Sequence, residues 1–152
     1  MDSTKQNTQH KEKFTVVKIT DFAYGHRLLY YTGKCQHLHG HNAKIMIHCE
    51  NKALDNRGMV VDFSEIKAAI KKVVDEKLDH TLILHEKDPM CALLISASEK
   101  FVMIPDNPTA ENLARWIYNN LRLHGLNVAK VIFWETDDSY ATYSKENTNA
   151  NS

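Results

Sequence analysis

Histidine is frequent in this chain, and its spacing is suited to holding a metal ion. The chain has nine His among 152 residues, and residues 37–41 read His-Leu-His-Gly-His. Side chains two residues apart in an extended chain point the same way, so His39 and His41 present two imidazoles to one point. Gly40 between them lets backbone or ligand approach closely. The segment therefore predicts part of a metal site.

A catalytic zinc site takes three protein ligands and keeps one position open. His26 ends the first predicted strand, where an antiparallel neighbour would bring it opposite the His-x-His strand. His37 points the same way as His39 and His41 and is therefore a rival ligand. We rank it below His26, because a cluster formed only by residues near position 39 would leave His26 without a role. Three neutral imidazoles favour Zn²⁺, although they also accept iron, cobalt or nickel. We expect zinc at His26, His39 and His41.

Cys35 lies four residues before His39 and has two possible roles. As a fourth zinc ligand it would close the site and make it structural. As a thiolate beside the cation it would be a base or nucleophile near neutral pH. The spacing leaves both roles open.

Two further places could carry chemistry. Asp79 beside His80 could orient the imidazole as in a proton relay, or the pair could be an ordinary helix end. Glu135 ends an apolar strand and could accept two parallel hydrogen bonds from the 2-amino pyrimidine edge of a pterin or purine. Its alternative is a strand that simply ends in solvent.

The elements that must position these residues suggest an α+β fold, with an antiparallel sheet and two helices on one face. Period-two alternation and β-branched runs predict the strands. Helical spacing predicts the helices, with Thr109 as one N-cap and either Asp62 or Ser64 as the other. The predicted strands are 14–24, 43–50, 59–63, 80–84, 101–104, 128–135 and 140–143, and the helices are 64–78 and 109–123. Residues 86–106 include an irregular insert.

Composition limits the function classes. Lys plus Arg and Asp plus Glu are both 19, so the net charge is zero and a nucleic-acid or anionic-membrane partner is not expected. No apolar run approaches the ~18 residues of a membrane span. The first residues lack the apolar core of a secretory signal, and three irregularly spaced cysteines do not suggest a disulfide framework. We expect a cytoplasmic protein with a single domain, 14–143, between disordered tails at 1–13 and 144–152.

Six motifs in this order resemble those of the 6-pyruvoyltetrahydropterin synthase / 6-carboxytetrahydropterin synthase family. They are FAYGHRL, C-x3-HGHN, GMVVDFSEIK, LDHTLIL, PTAENLARWIY and ETDDSYATY. The resemblance spans about residues 14–143. The three-residue gap between Cys35 and the HGH motif resembles the bacterial carboxytetrahydropterin branch of queuosine biosynthesis.

The resemblance implies a tunnelling fold (T-fold), in which subunits join their sheets into a trimeric barrel and two trimers commonly stack. It implies zinc at the three histidines and Cys35 as the catalytic base. It also implies an Asp79–His80 relay acting across a subunit boundary, and a pterin ring anchored by Glu135 with help from Thr109.

The implied reaction converts 7,8-dihydroneopterin triphosphate to 6-carboxytetrahydropterin, acetaldehyde and triphosphate. One alternative function is the formation of 6-pyruvoyltetrahydropterin from the same substrate. Another is that of a module that binds zinc and a pterin without turnover. The chain departs from the family pattern at Ala43, where Tyr is frequent, and at Tyr24, where a small residue is usual. Residues 86–106 are also longer than in short bacterial members.

Overall fold

The computed structural model describes residues 12–146 and shows a mixed six-stranded sheet with three helices. The strands lie side by side in the order β4-β3-β1-β2-β5-β6. The strands are β1 Phe14–His26, β2 His39–Asn51, β3 Thr81–His85, β4 Phe101–Ile104, β5 Val128–Thr136 and β6 Ser139–Ser144. The helices are α1 Phe63–Ile70, α2 Met90–Ser96 and α3 Ala110–Leu123, and α1 continues as a π-helical turn over Lys71–Asp75.

The α+β class is confirmed, but the sheet is not wholly antiparallel. β1 pairs antiparallel with β2, β2 with β5, and β5 with β6. β3 runs parallel to both β1 and β4. Each parallel connection contains a helix, α1 before β3 and α2 before β4, as parallel neighbours require a crossover.

The main core lies between one face of the sheet and helices α1 and α3. The predicted alternation in β2 is confirmed, since Ala43, Ile45, Ile47 and Cys49 are all buried. They pack with helix residues such as Leu113 in one cluster. Burying this face supplies the hydrophobic free energy that holds the sheet on its helices.

Helix α2 lies in the insert and covers a separate small core. Leu84 packs with Cys91 and Leu94, whereas its neighbour Ile83 belongs to the main core. Because successive strand residues point to opposite faces, α2 lies on the face opposite α1 and α3. The sequence therefore predicts the two helices on one face but not this third helix on the other.

The helix starts agree with the capping predictions. Asp62 accepts a hydrogen bond from the Ser64 N–H at 2.8 Å, and Thr109 Oγ1 accepts from the Asn112 N–H at 3.3 Å. The strand predicted at 59–63 is wrong. The Asp55 carboxylate fixes a turn there by accepting from the Met59 N–H, and the helix begins at Phe63.

The structure describes only part of the two predicted tails. Residues 1–11 and 147–152 lie outside the described residues, so the expectation of disorder there stays a prediction. Within the described part, Lys13 forms an ion pair with Glu50 at 3.0 Å. Ser144 pairs with Lys130 as the last residue of β6, so the ordered domain extends beyond 143. Among helices in residues 12–146, none has the length and apolar character needed to cross a membrane.

Candidate functional site

The pairing of β1 with β2 brings three histidines together at one end of the sheet. His26 lies directly opposite His39, and Tyr24 lies directly opposite His41. All of these side chains share the face that carries the main core, because they are an even number of residues from Phe22 or Ala43. The candidate ligand atoms of His26, His39 and His41 lie within 4.8 Å of one another.

Backbone carbonyls orient two of the imidazoles. Nδ1 of His26 lies 2.7 Å from the Pro108 carbonyl oxygen, and Nδ1 of His39 lies 2.8 Å from the His37 carbonyl oxygen. A carbonyl only accepts, so Nδ1 carries the proton in both rings and Nε2 keeps its lone pair. Burial lowers the pKa of His26, which further favours the neutral imidazole that binds metals.

The free nitrogens of this cluster fit a cation. Nε2 of His26 and Nε2 of His39 lie only 3.0 Å apart, and with both protons on Nδ1 their lone pairs face each other. Nε2 of His41 is buried and has no hydrogen-bond partner among the described residues. A metal ion would satisfy all three nitrogens at once, and a carbonyl on the far ring nitrogen is the usual support of a metal-binding histidine. The rival ligand His37 lies outside this cluster and is exposed.

Glu135 lies beside the histidine cluster near the end of β5. Its Oε1 is 3.7 Å from Nε2 of His41, and its Oε2 accepts a hydrogen bond from the Tyr24 hydroxyl at 3.4 Å. Burial, and secondly the nearby carboxylate, raise the pKa of Tyr24, so the phenol remains a donor. Glu135 is partly exposed and therefore accessible to a ligand.

A cavity of about 240 Å³ lies beside the histidine cluster and is lined by three of the other residues singled out in the sequence. Cys35, Thr109 and Glu135 line this cavity together with His26. Cys35 is on the short 3₁₀ turn Lys34–Gln36, and its carbonyl accepts a hydrogen bond from the Leu28 N–H at 2.8 Å. Cys35 is a free cysteine and is partly exposed, and it is not part of the metal-ligand cluster.

The Asp79–His80 pair is formed, but it lies elsewhere in the subunit. Nδ1 of His80 is 2.9 Å from Oδ1 of Asp79, and that oxygen also accepts from the Ala23 N–H. Although partial burial opposes the shift, these hydrogen bonds hold the pKa of Asp79 below its ordinary value. The His80 side chain is 82% exposed and lines a different cavity with Lys100. No residue lines both cavities, so within one subunit His80 and Cys35 face different cavities.

Some contributors to the site were not identified from the sequence. The Pro108 carbonyl orients His26, and a backbone oxygen leaves no signal in a sequence pattern. The sequence distinguishes Tyr24 only as a large residue at a position where a small one is usual. Arg27, next to His26, forms a double hydrogen bond with the buried Asp88 of the insert, and the spacing of these two residues gives no hint of it.

Comparison with known protein families gives one clear match. The family profile described as 6-pyruvoyl tetrahydropterin synthase matches residues 15–146. A protein of Haemophilus influenzae named 6-carboxy-5,6,7,8-tetrahydropterin synthase is 32% identical over 140 residues, which cover 87% of this chain and 99% of that protein. A protein of the same name from Rickettsia bellii is 42% identical over 103 residues, covering 66% of this chain and 75% of that protein.

Solved structures show the same fold. The crystal structure of an uncharacterized protein from Wolinella succinogenes superposes with a TM-score of 0.77 at 29% identity, covering 89% of this chain and 99% of that chain. The structure of 6-pyruvoyl tetrahydropterin synthase from Caenorhabditis elegans gives a TM-score of 0.69 at 22% identity, covering 89% and 97%. At that identity the likeness concerns the fold alone.

Proposed function

Because the chain belongs to the 6-pyruvoyl tetrahydropterin synthase family, we propose that it is a zinc-dependent 6-carboxy-5,6,7,8-tetrahydropterin synthase. This lyase converts 7,8-dihydroneopterin triphosphate and one water molecule to 6-carboxytetrahydropterin, acetaldehyde and triphosphate, and we assign the reaction to queuosine biosynthesis in the cytoplasm. The proposal is supported chiefly by the Haemophilus influenzae relative, which matches over 99% of its own length. The histidine cluster beside Cys35 and Glu135 supports the same chemistry.

His26, His39 and His41 would hold the zinc ion through Nε2, with the fourth position open to substrate. When bound there, zinc supplies Lewis-acid chemistry that makes the substrate's side-chain hydroxyl groups more acidic. The Pro108 and His37 carbonyls keep the rings of His26 and His39 in the tautomer that this role requires. This is what the chain itself contributes to the metal site.

Glu135 and Thr109 would position the pterin ring. The Glu135 carboxylate can accept two parallel hydrogen bonds from the 2-amino and N3 positions of the ring. Thr109 lines the same cavity at the start of α3. Fixing the ring sets the distance between the reacting side-chain carbon and Cys35, which accelerates the reaction through proximity.

Cys35 and His80 would move the two protons. Cys35, as thiolate, takes a proton at a carbon of the substrate side chain, and His80, oriented by Asp79, handles the second proton. Since His80, the partner of Asp79, lines another cavity, we propose that a neighbouring subunit brings its own pair to Cys35. The active site is thus shared between two subunits.

Sharing of the site requires an oligomer, and the sheet offers edges for it. β4 and β6 are the edge strands of the described sheet, and such edges leave backbone groups open to pairing. We propose a homotrimer or homohexamer in which sheets join edge to edge. Light scattering at micromolar concentration should give a trimeric or hexameric mass, and a monomeric mass would contradict the proposal.

The function is tested by identifying the products. Zinc-loaded protein is incubated with 7,8-dihydroneopterin triphosphate, and both the pterin and the small product are identified by mass. Release of acetaldehyde with 6-carboxytetrahydropterin supports the proposal. A 6-pyruvoyl product without acetaldehyde would assign the chain to the pyruvoyl reaction, and bound but unchanged substrate would make it a binding module.

A further inference from the structure

Tyr24 is a buried tyrosine placed between the histidine cluster and Glu135. It is only 3% exposed and lies on β1, two residues before His26 and directly opposite His41. Its hydroxyl donates to Oε2 of Glu135 at 3.4 Å. Among the described residues this is the one hydrogen bond made to the Glu135 carboxylate. Neither zinc binding nor proton transfer, as proposed above, needs this phenol.

The ring of Tyr24 is held on several sides, so its hydroxyl has a defined position. The ring centroid lies 5.0 Å from that of His26 and 5.8 Å from that of His41. Phe133, two residues before Glu135 on β5, packs edge-on at 5.8 Å. Such packing restricts the rotation of the phenol. The O–H therefore points at Glu135 in a fixed geometry.

Glu135 by contrast needs an external restraint. Its side chain is 27% exposed and has three rotatable bonds, and Oε1 approaches Nε2 of His41 no closer than 3.7 Å. A carboxylate that recognises a planar edge must offer both oxygens in one plane. If the free protein already holds one oxygen in place, binding does not have to supply that ordering.

We propose that Tyr24 is a positioning residue that fixes the Glu135 carboxylate for recognition of a 2-amino pyrimidine edge. It thereby determines selectivity for pterins over 2-oxo analogues of the same shape. The inference rests on the proposed function, because it assigns Glu135 to the ring. It goes further by giving the unusual bulk at position 24 a role in substrate choice.

The test compares Tyr24→Phe with the matched control Tyr118→Phe, a tyrosine that is equally buried but lies on α3 away from the cavity. Both variants are prepared as the full chain loaded with zinc. For Tyr24→Phe we expect KM for 7,8-dihydroneopterin triphosphate to rise severalfold, up to about tenfold, because binding must then supply the ordering of the Glu135 side chain. The value of kcat should change much less than KM, because the bound ring itself orders the carboxylate once substrate is in place. The zinc content should stay unchanged. The control should behave as wild type.

Selectivity gives a readout that a merely structural role would not change. Dissociation constants for neopterin and for its 2-oxo (lumazine) analogue are measured by calorimetry. The wild-type preference for neopterin should fall severalfold in Tyr24→Phe, because an unrestrained carboxylate can turn away from the 2-oxo group.

The outcomes separate this inference from the proposed function. Unchanged KM and unchanged selectivity in Tyr24→Phe would overturn the role of Tyr24 while leaving the synthase intact. Loss of zinc in that variant would also overturn it, since Tyr24 would then act on the histidines. If wild-type protein neither binds neopterin nor turns over the triphosphate, the proposed function and the role of Tyr24 fail together.

Discussion

The Pro108 carbonyl oxygen lies 2.7 Å from Nδ1 of His26, one residue before the Thr109 side chain that caps α3. One short segment therefore starts the helix, lines the cavity through Thr109 and orients a histidine of the proposed metal site. Because the contact uses a backbone oxygen, it depends on the path of the chain and not on the side chain at position 108. The position of His26 in the proposed metal site and the docking of α3 are consequently coupled.

The histidine cluster predicts a clear difference between two neighbouring substitutions. His39→Ala removes one of three ligands and should abolish both stoichiometric zinc and activity. His37→Ala is the matched control, because His37 is exposed and supplies only its carbonyl to His39. Metal analysis of both purified variants decides the matter. If His39→Ala keeps its full zinc content, or if His37→Ala loses zinc, the proposed set of ligands is wrong.

Cys35 is expected to act in catalysis without binding the metal. Cys35→Ala should keep stoichiometric zinc and bind substrate, yet turn over about 100- to 10,000-fold more slowly, the usual effect of losing a general base. Cys91→Ala is the control, since Cys91 packs in the small core under α2. The measurements are zinc content and single-turnover rate. Zinc loss in Cys35→Ala would show that Cys35 is a ligand. Near-normal turnover would show that another group is the base, and His37 would be the next residue to test.

The separation of Asp79–His80 from the Cys35 cavity predicts complementation between subunits. When inactive Cys35→Ala and His80→Ala chains are co-expressed with different tags, random mixing should restore about a quarter of the wild-type sites. Cys35→Ala with Glu135→Ala is the control, because both residues line one cavity of the same chain and no intact site can form. Activity of the doubly purified oligomers is measured. Absence of activity in the first mixture, with both tags present, would argue against a shared site.

The ion pair of Arg27 with Asp88 should stabilise the fold, because it ties the 86–106 insert to the end of β1. Asp88→Asn leaves Arg27 without its charged partner at a buried carboxyl position, and we expect a loss of about 3 kcal/mol in the free energy of unfolding. Asp106→Asn removes an exposed partner of Arg115 and should cost about 0–1 kcal/mol. The free energies of unfolding of both variants are measured by urea denaturation at pH 7. Equal losses in the two variants would contradict the burial of the Asp88 carboxylate.

The same pair has a defined pH dependence. The Arg27 guanidinium holds the pKa of Asp88 below its ordinary value, so the pair's contribution is complete above the unfolded carboxyl pKa of about 3.9. It is lost as the pH falls through the lower folded value. The stability difference between wild type and Asp88→Asn should therefore be constant at neutral pH and shrink below about pH 4. A gap that grows on acidification would show that the aspartate is not held in its charged form.

Local patterns were sufficient to predict much of the fold. The alternation of Ala43, Ile45, Ile47 and Cys49 identified the buried face of β2, and Thr109 was correctly expected to cap α3. Both depend on residues close in sequence, where side-chain direction and capping chemistry leave a direct signal. The gathering of His26 with His39 and His41 follows from the same logic, since a strand end and a His-x-His strand suggest their pairing.

Long-range choices could not be predicted in this way. The parallel pairing of β3 with β1 depends on which distant strand offers a free edge. A strand of five residues with three apolar side chains carries no information about its partner. His80 was expected to start that strand, but its φ of 53° is left-handed, so the strand begins one residue later. Residues 59–63 have the composition of a strand. However, the turn at Asp55 and the helix cap at Asp62 leave too few residues between them to form a strand that could pair in the sheet.

The central claim is that this chain performs a zinc-dependent lyase reaction that releases acetaldehyde. The most direct measurement strips the metal with a chelator, returns zinc in known amounts, and quantifies acetaldehyde formed from 7,8-dihydroneopterin triphosphate. We predict almost no acetaldehyde from the stripped protein and a linear rise that saturates at about one zinc per subunit. Full acetaldehyde release without metal, or no release at saturating zinc, would contradict the account.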